Sequence, residues 1–311
     1  MLKASVAILS YNGGAVLRET LEAVLKQRQD VLHEVLVIDS GSRDDSVDYL
    51  RHRPVRLVEI SNADFGHGAT RNLAAQLAEA PVVVFLSQDA TPSGPEWLDT
   101  LVASLADEHV AGVYGRQLPR AATHVCERFF LTETYPDRPA RRTLAKGQQP
   151  TLRDIFFSNV NVACRRELLM RFPFDRSLVM SEDQQWARTV LENGYGIVYE
   201  PRAAVYHSHR YTCADVFRRY FDSGASLRQI VAGRLGTSPG EQVKYLWREC
   251  REAVRDGGIV HVPYVLAYEA CRILGYTAGK AEPLLPLPVK TALSANVRHW
   301  RKVAMAPKEG K

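Results

Sequence analysis

The sequence predicts an α/β protein: a mostly parallel sheet with helices on both faces, followed by a helical C-terminal region. Two patterns predict it. Short apolar runs of strand length alternate with helix-spaced stretches through the first 110 residues. Beyond Thr212 the alternation stops and long helical patterns take over. In order, Ser5–Ser10 reads as a buried strand, and Gly13–Gln29 as a helix with Val16, Leu17, Leu21, Val24 and Leu25 on one face. Glu34–Asp39 is a second strand, Ser42–Arg51 a helix with Ser42 as N-cap, and Val55–Ile60 a third strand. Ala69–Ala80 is helical, Val82–Ser87 is a fourth strand bounded by Pro81, and Trp97–Asp107 is helical again. Residues 119–155 mix Pro, Arg and Thr and read as a long excursion. Phe156–Cys164 is a strand, Ser181–Asn193 a helix, and Ile197–Glu200 and Ala203–His207 two short strands. Asp215–Arg234, Pro239–Asp256 and Val262–Gly275 complete the helical region.

Composition narrows the class. The 311 residues are 46% hydrophobic and 24% charged, enough for one large or two modest domains with a buried core. No apolar run reaches the roughly 20 residues that a membrane-crossing helix needs. The opening MLKASVAILSYN is too short an apolar run for a secretory signal, so the expected location is the cytosol. Five scattered cysteines without a CxxC pair argue against a disulfide framework and against a zinc site. Residues 215–311 carry 16 Lys/Arg against 9 Asp/Glu, while residues 1–214 carry 24 against 26. A basic face of this kind meets an anionic membrane surface or nucleic acid, or is simply solvated. No helix-turn-helix, zinc or RNA-recognition signature accompanies it, so nucleic acid is not an expected partner.

Ligands of such sheets bind at the C-terminal edge of the strands, and that edge carries polar residues. Asp39 closes the second strand in VIDSGSRDDS, either as a turn or cap residue or as an acceptor for a base or ribose. Asp89 closes the fourth strand in FLSQDATP, as a cap or as a ligand for a divalent cation. Glu182-Asp183 opens a helix, where two acids suit the helix dipole or supply a general base. His207 and His209 alternate along an extended segment and point the same way. Gly66-His67-Gly68 leads into a helix start, a setting that suits anions and close backbone approach, but it is neither GxGxxG nor a Walker A loop.

The order of these pieces is more specific than any one of them. Ser10-Tyr11-Asn12, VIDSGSRDDS, FGHGATRN, FLSQDATP and SEDQQWA…GYGIVYEPRAAVYHSH follow one another over roughly residues 4–230. This set resembles the family 2 glycosyltransferases, inverting enzymes of the GT-A fold. FGHGATRN with SQDATP is most similar to the bacterial rhamnosyltransferases of O-antigen and related polysaccharide assembly. The resemblance implies that Tyr11, Asp39, Arg71 and Gln88 bind the nucleotide part of the donor. The family's DxD motif stands here as Ser87-Gln88-Asp89, so only Asp89 carries over as ligand for the metal, Mg2+ or Mn2+. His207 completes the metal site, with His209 as the fallback. Asp183 is the implied base, with Glu182 beside it, and Ser158, Asn159 and Asn161 line the sugar and acceptor pocket.

The resemblance further implies transfer of a deoxyhexose, L-rhamnose from dTDP-L-rhamnose, to a glycan or lipid-linked glycan. Two other readings stay open: a UDP-hexose or UDP-N-acetylhexosamine donor on the same fold, and a non-catalytic nucleotide-sugar-binding scaffold. Residues 1–212 are expected to form the catalytic domain, and residues 213–311 a helical extension for acceptor, membrane-surface or homo-oligomer contacts. In that extension Arg218, Arg219, Tyr220, Phe221, Tyr245, Trp247, Arg248, Trp300 and Arg301 interleave bases with aromatics, which suits peripheral contact with the inner face of the cytoplasmic membrane.

Overall fold

The structure, a computed structural model, describes residues 2–28, 30–231 and 239–305. The chain forms two compact units. Met1–Ala121, Leu131–Asp175 and Asp183–Ser208 make the first, and Ala122–Phe130, Arg176–Glu182 and His209–Lys311 the second.

The elements begin with β1 (Ala4–Ser10), α1 (Gly14–Leu25), β2 (Leu32–Asp39), α2 (Ser46–Arg51), β3 (Arg56–Glu59), α3 (His67–Leu77) and β4 (Val82–Ser87). A two-residue β5 (Thr91–Pro92), α4 (Trp97–Ala103), β6 (Val110–Leu118), α5 (Val125–Thr134) and β7 (Ala140–Arg142) follow. Then come β8 (Asn161–Arg165), α6 (Arg166–Arg171), α7 (Glu182–Glu192) and β9 (Gly196–Tyr206). The remaining helices are α8 (Cys213–Ile230), α9 (Pro239–Gly257), α10 (Val262–Lys280), α11 (Leu287–Leu293) and α12 (Val297–Met305).

One nine-stranded sheet runs β3-β2-β1-β4-β8-β6-β9-β5, with β7 also paired to β9. β3, β2, β1 and β4 are parallel, as the alternating pattern requires. β8 is antiparallel to both β4 and β6, while β6 and β9 are parallel to each other. The Val- and Ile-rich β1, β2 and β4 are buried on both faces, and α1 covers one face with Leu17, Leu21 and Val24.

Several elements differ from the sequence expectation, each for a local reason. β6 has no clear strand signature because Gly112 and Gly115 interrupt its apolar pattern. A Cβ on Gly115 would lie 2.0 Å from the Ala203 carbonyl oxygen and 2.3 Å from Asn161 Nδ2, so neighbouring strands require glycine there. Residues 119–155 are not an unstructured excursion, since they contain α5 and β7. The strand expected from Phe156 begins at Asn161, because Phe156 O accepts from Arg142 and Asn159 N donates to Asp183 instead of joining the ladder. The two short strands expected around Pro201 are one, β9, whose pairing with β6 shifts register between Gly115 and Arg116. α2 starts at Ser46 rather than Ser42, because the Ser42 hydroxyl accepts from Asn12 N and donates to Asp39 instead of accepting from a helix N–H. The helix ends expected at Gln29 and Arg234 lie outside the described residues.

In the second unit a Thr212–Asp215 capping box starts α8. Gly275 sits against Phe217 O and Gly279 against Phe221 O, so α8 and α10 advance in step, parallel and with their backbones in close approach. The aromatics expected at a membrane surface are largely interior: Phe221 is 0% exposed and Trp300 6%, both in one apolar cluster. Tyr245 is half-buried against Phe129, and Trp247 alone of the Trp and Phe residues in that set is exposed. The apolar residues this unit exposes include Ile259, Val260, Leu266, Ile273, Leu274 and Leu284, with Lys244, Arg248, Arg251 and Arg255 exposed on α9. Inside, Glu249 lies against the Glu269 carboxyl and the Cys126 thiol, and burial pushes its carboxyl up to about 8.

The Gly115 contact sets a stability test. Gly115→Ala should cost about 1–3 kcal/mol or more through overpacking, read as a lower urea midpoint with an unchanged slope. An unchanged midpoint would mean that β6 and β9 tolerate a wider separation.

Candidate active site

Strand order reverses between β1 and β4, the position at which open α/β sheets hold their ligands. Parallel pairing sets Ser10 opposite Asp39 and Leu9 opposite Ser87, so three strand ends reach one level. The loops that leave them are hydrogen-bonded into one platform. Asn12 N donates to Ser42 Oγ at 2.8 Å, Arg43 N to Asn12 Oδ1 at 2.8 Å, and Gly14 N to Asp44 Oδ2 at 3.1 Å. Asn12 takes a left-handed φ of 47°, which asparagine tolerates better than most residues. Asp39 is fully buried and holds the platform from below: its carboxylate accepts from Gly41 N, Ser42 N and the Ser42 hydroxyl.

An open cleft of about 190 Å³ lies at this edge, with Ser10, Tyr11, Ser40, Arg71, Asp89 and Asn159 among its lining residues. Tyr11 is exposed on its rim at 39%. Gln88 brackets the Tyr11 backbone, accepting from its N–H at 2.9 Å and donating to its carbonyl at 3.2 Å. The middle residue of Ser87-Gln88-Asp89 therefore ties the end of β4 to the loop after β1. Arg71, on the first turns of α3, lines the cleft and donates to His67 O. Gly66 caps α3 in extended conformation, but Gly68 serves packing, since a Cβ there would lie 2.5 Å from Asp175 O. Ser10 Oγ and Ser40 Oγ are buried in the floor, and neither has a hydrogen-bond partner among the described residues. Buried hydroxyls without partners fit a polar ligand.

Asp89 and His207 face each other, with Oδ1 and Nε2 3.4 Å apart. His207 is buried just beyond β9, where its N–H donates to Leu118 O, and its Nδ1 contacts Gln117 Oε1 at 2.9 Å. A carboxylate and an imidazole nitrogen are a fitting pair of donors for a divalent cation, and Asp89 and His207 both lie in the first unit. His209 follows two residues along the chain and opens the second unit.

Asp183, in the first turn of α7, accepts from Asn159 N at 3.1 Å, which joins it to the cleft wall. The preceding Ser181 has a φ of 64°, a costly conformation for a non-glycine residue that turns the chain sharply before Glu182-Asp183. Glu182 is buried. Ser158 accepts from Gln117 at 3.0 Å, behind the cleft. Asn161 does not line the cleft: it is 1% exposed, accepts from Trp97 Nε1 and donates to Ala203 O, an internal brace between strands.

The structure thus brings Tyr11, Arg71, Gln88, Asp89 and Asn159 to one cleft, with Asp183 bonded to its wall and Asp39 beneath. The sequence did not single out Ser40 or Gln117, and it offered Phe65 and His67 only within FGHGATRN. Ser40 was legible as the neighbour of Asp39, whereas Gln117 had no signal, because β6 itself was not expected.

This sheet and cleft are those of a GT-A glycosyltransferase. The sequence profile of glycosyl transferase family 2 matches residues 5–173, and the chain belongs to that family. It is 29% identical over 307 residues to the O-antigen chain rhamnosyltransferase RfbN of Salmonella typhimurium, covering 97% of each chain. It is 30% identical over 315 residues to the O-antigen chain rhamnosyltransferase WbaN of Salmonella anatum, covering 96% of each. Among solved structures, the mannosyltransferase PcManGT of Pyrobaculum calidifontis, in complex with GDP-Man and Mn2+, has a TM-score of 0.57 at 20% identity, over 99% of this chain and 88% of that one. Residues 1–349 of S. aureus TarS, in complex with UDP-GlcNAc, have a TM-score of 0.51 at 18% identity, over 91% and 92%.

The bracket on Tyr11 predicts an effect on binding. Gln88→Ala should weaken nucleoside diphosphate affinity several-fold by freeing the Tyr11 backbone, measured by calorimetry, with little change in melting temperature. Unaltered affinity would show that the loop holds Tyr11 without it.

Proposed function

We propose that the chain is an inverting rhamnosyltransferase that moves L-rhamnose from dTDP-L-rhamnose to a glycan or lipid-linked glycan acceptor. One observation carries the reading: a single cleft collects Tyr11, Arg71 and Asp89, and its wall residue Asn159 binds the Asp183 carboxylate. Near-full-length similarity to two rhamnosyltransferases supports the sugar. Residues 1–212 act as the catalytic domain and residues 213–311 as a helical extension.

Tyr11 and the buried Ser10 and Ser40 hydroxyls face the nucleoside, over the platform that Asp39 holds. Arg71 offsets charge on the diphosphate. Asp89 and His207, with His209 as the fallback for His207, would hold a divalent cation, Mg2+ or Mn2+, which when bound would offset the charge that builds on the leaving diphosphate. Asp183 takes the proton of an acceptor hydroxyl. The new bond joins that oxygen to the anomeric carbon, on the face opposite the breaking bond to the diphosphate, so the configuration inverts. Glu182 sits on the acceptor side. No separate acid is needed, because the diphosphate leaves as a stabilised anion.

Among the described residues no helix is long and apolar enough to cross a membrane. We further propose peripheral attachment to the inner face of the cytoplasmic membrane through Ile259, Val260 and the exposed face of α10, with the α9 bases nearby in sequence. Exposed apolar residues with exposed basic residues close by in sequence suit an anionic headgroup layer.

A panel of dTDP-, UDP- and GDP-sugars, with Mg2+ or Mn2+ and then with EDTA, tests the reaction. Selective turnover of dTDP-rhamnose that chelation abolishes is expected. Asp183→Asn should lose at least 100-fold in turnover while donor binding changes little. Preference for a UDP-sugar would reject the rhamnosyl assignment, and binding without turnover on any acceptor would favour a scaffold.

Vesicle flotation tests the attachment. Binding to anionic but not neutral vesicles is expected, falling several-fold in an Ile259→Ser/Val260→Ser variant. No flotation at low salt would remove the proposal.

A further inference from the structure

Gln117 lies outside the cleft, yet it is the side chain that faces Nδ1 of His207. It sits on β6 and is 5% exposed. Its amide oxygen meets His207 Nδ1 at 2.9 Å, and its amide nitrogen donates to Tyr135 Oη at 2.6 Å and Ser158 Oγ at 3.0 Å. Backbone pairing brings the two residues together: Gln117 lies opposite Val205 and Leu118 opposite Tyr206, and His207 N donates to Leu118 O. The amide has two N–H bonds, and each meets one of the two hydroxyl oxygens. Its oxygen faces the imidazole. Burial holds the Tyr135 phenol well above its usual range, so that partner stays a neutral hydroxyl.

A neutral imidazole carries one proton on one of its two nitrogens. A carbonyl oxygen at hydrogen-bond distance from Nδ1 requires the proton there, since two lone pairs would otherwise face each other. Nε2 then presents its lone pair toward Asp89 Oδ1, 3.4 Å away. Two acceptors at that separation repel unless a cation or a proton lies between them. With Gln117 absent, the neutral ring would turn to the opposite tautomer, with Nε2–H donating to Asp89 and no lone pair for a metal.

We propose that Gln117 is a positioning residue that holds His207 in the Nδ1–H tautomer, with the Nε2 lone pair toward Asp89, where the two would ligate a divalent cation. Tyr135 and Ser158 lie behind it and bond the amide nitrogen. Ser158 then contributes through Gln117 and not by lining the sugar pocket. The inference rests on the metal reading of Asp89 and His207.

The test has a readout that needs no metal. Nitrogen NMR of the metal-free full chain, at one alkaline pH where the ring is neutral, reports which ring nitrogen of His207 holds the proton. Nδ1–H is expected in the native chain and in Gln117→Glu, whose carboxylate also accepts, and Nε2–H in Gln117→Leu. Mn2+ titration by calorimetry should then show a loss of about 10–100-fold in Gln117→Leu and substantial recovery in Gln117→Glu. An Nε2–H ring in the native chain overturns the proposal whatever the variants do, and it needs no variant to fold. An unchanged tautomer and unchanged Mn2+ affinity in Gln117→Leu overturn it too. If His207→Ala leaves Mn2+ affinity unchanged, the metal reading fails, and the tautomer result stands apart from it.

Discussion

The parallel pairing of β1 with both β2 and β4 is the constraint on which the rest depends. It aligns Ser10 with Asp39 and Leu9 with Ser87, so three chain segments leave the sheet side by side. Almost every side chain along these strands is apolar and buried, and a slip of one residue would exchange the side chains packed against the two covered faces. Hydrophobic packing far from the cleft therefore fixes the positions of its polar residues.

At the strand ends, order passes from packing to hydrogen bonds. The loops after β1 and β2 carry Ser, Asn, Asp and Gly, residues that satisfy backbone donors locally and accept unusual φ angles. Asp39, Ser42 and Asn12 bond the two loops together, and Gln88 adds the end of β4. The result is a rigid edge that still leaves two buried hydroxyls, Ser10 and Ser40, without partners among the described residues. Such groups are costly unless a ligand satisfies them.

The other half of the sheet supplies the remaining groups by a different route. β8 runs antiparallel between β4 and β6, and the segment before it leaves the ladder so that Asn159 can bond Asp183. β6 and β9 run together and bring Gln117 to His207. In this half, side chains are positioned by buried cross-strand bonds such as those of Asn161 to Trp97 and Ala203.

Much of this architecture is legible in local chemistry alone. Apolar runs of strand length, broken by Ser, Asn and Gly turns, place β1, β2 and β4 and the polar residues at their ends, because those signals lie within a few residues of one another. The order of the motifs is enough to point to the family. What the sequence does not carry are relations between distant residues. Gly112 and Gly115 disguise β6 because their meaning lies in Phe157, Asn161 and Ala203, which approach too closely for a Cβ. Gly68 reads as part of an anion loop, yet it is Asp175 O that packs against it. The partnership of Gln117 with His207 spans 90 residues. Phe221 and Trp300 read as surface aromatics, because composition does not say which way a helix faces, and only packing turns them inward. Periodicity determines that a face exists, and the tertiary structure decides what that face meets.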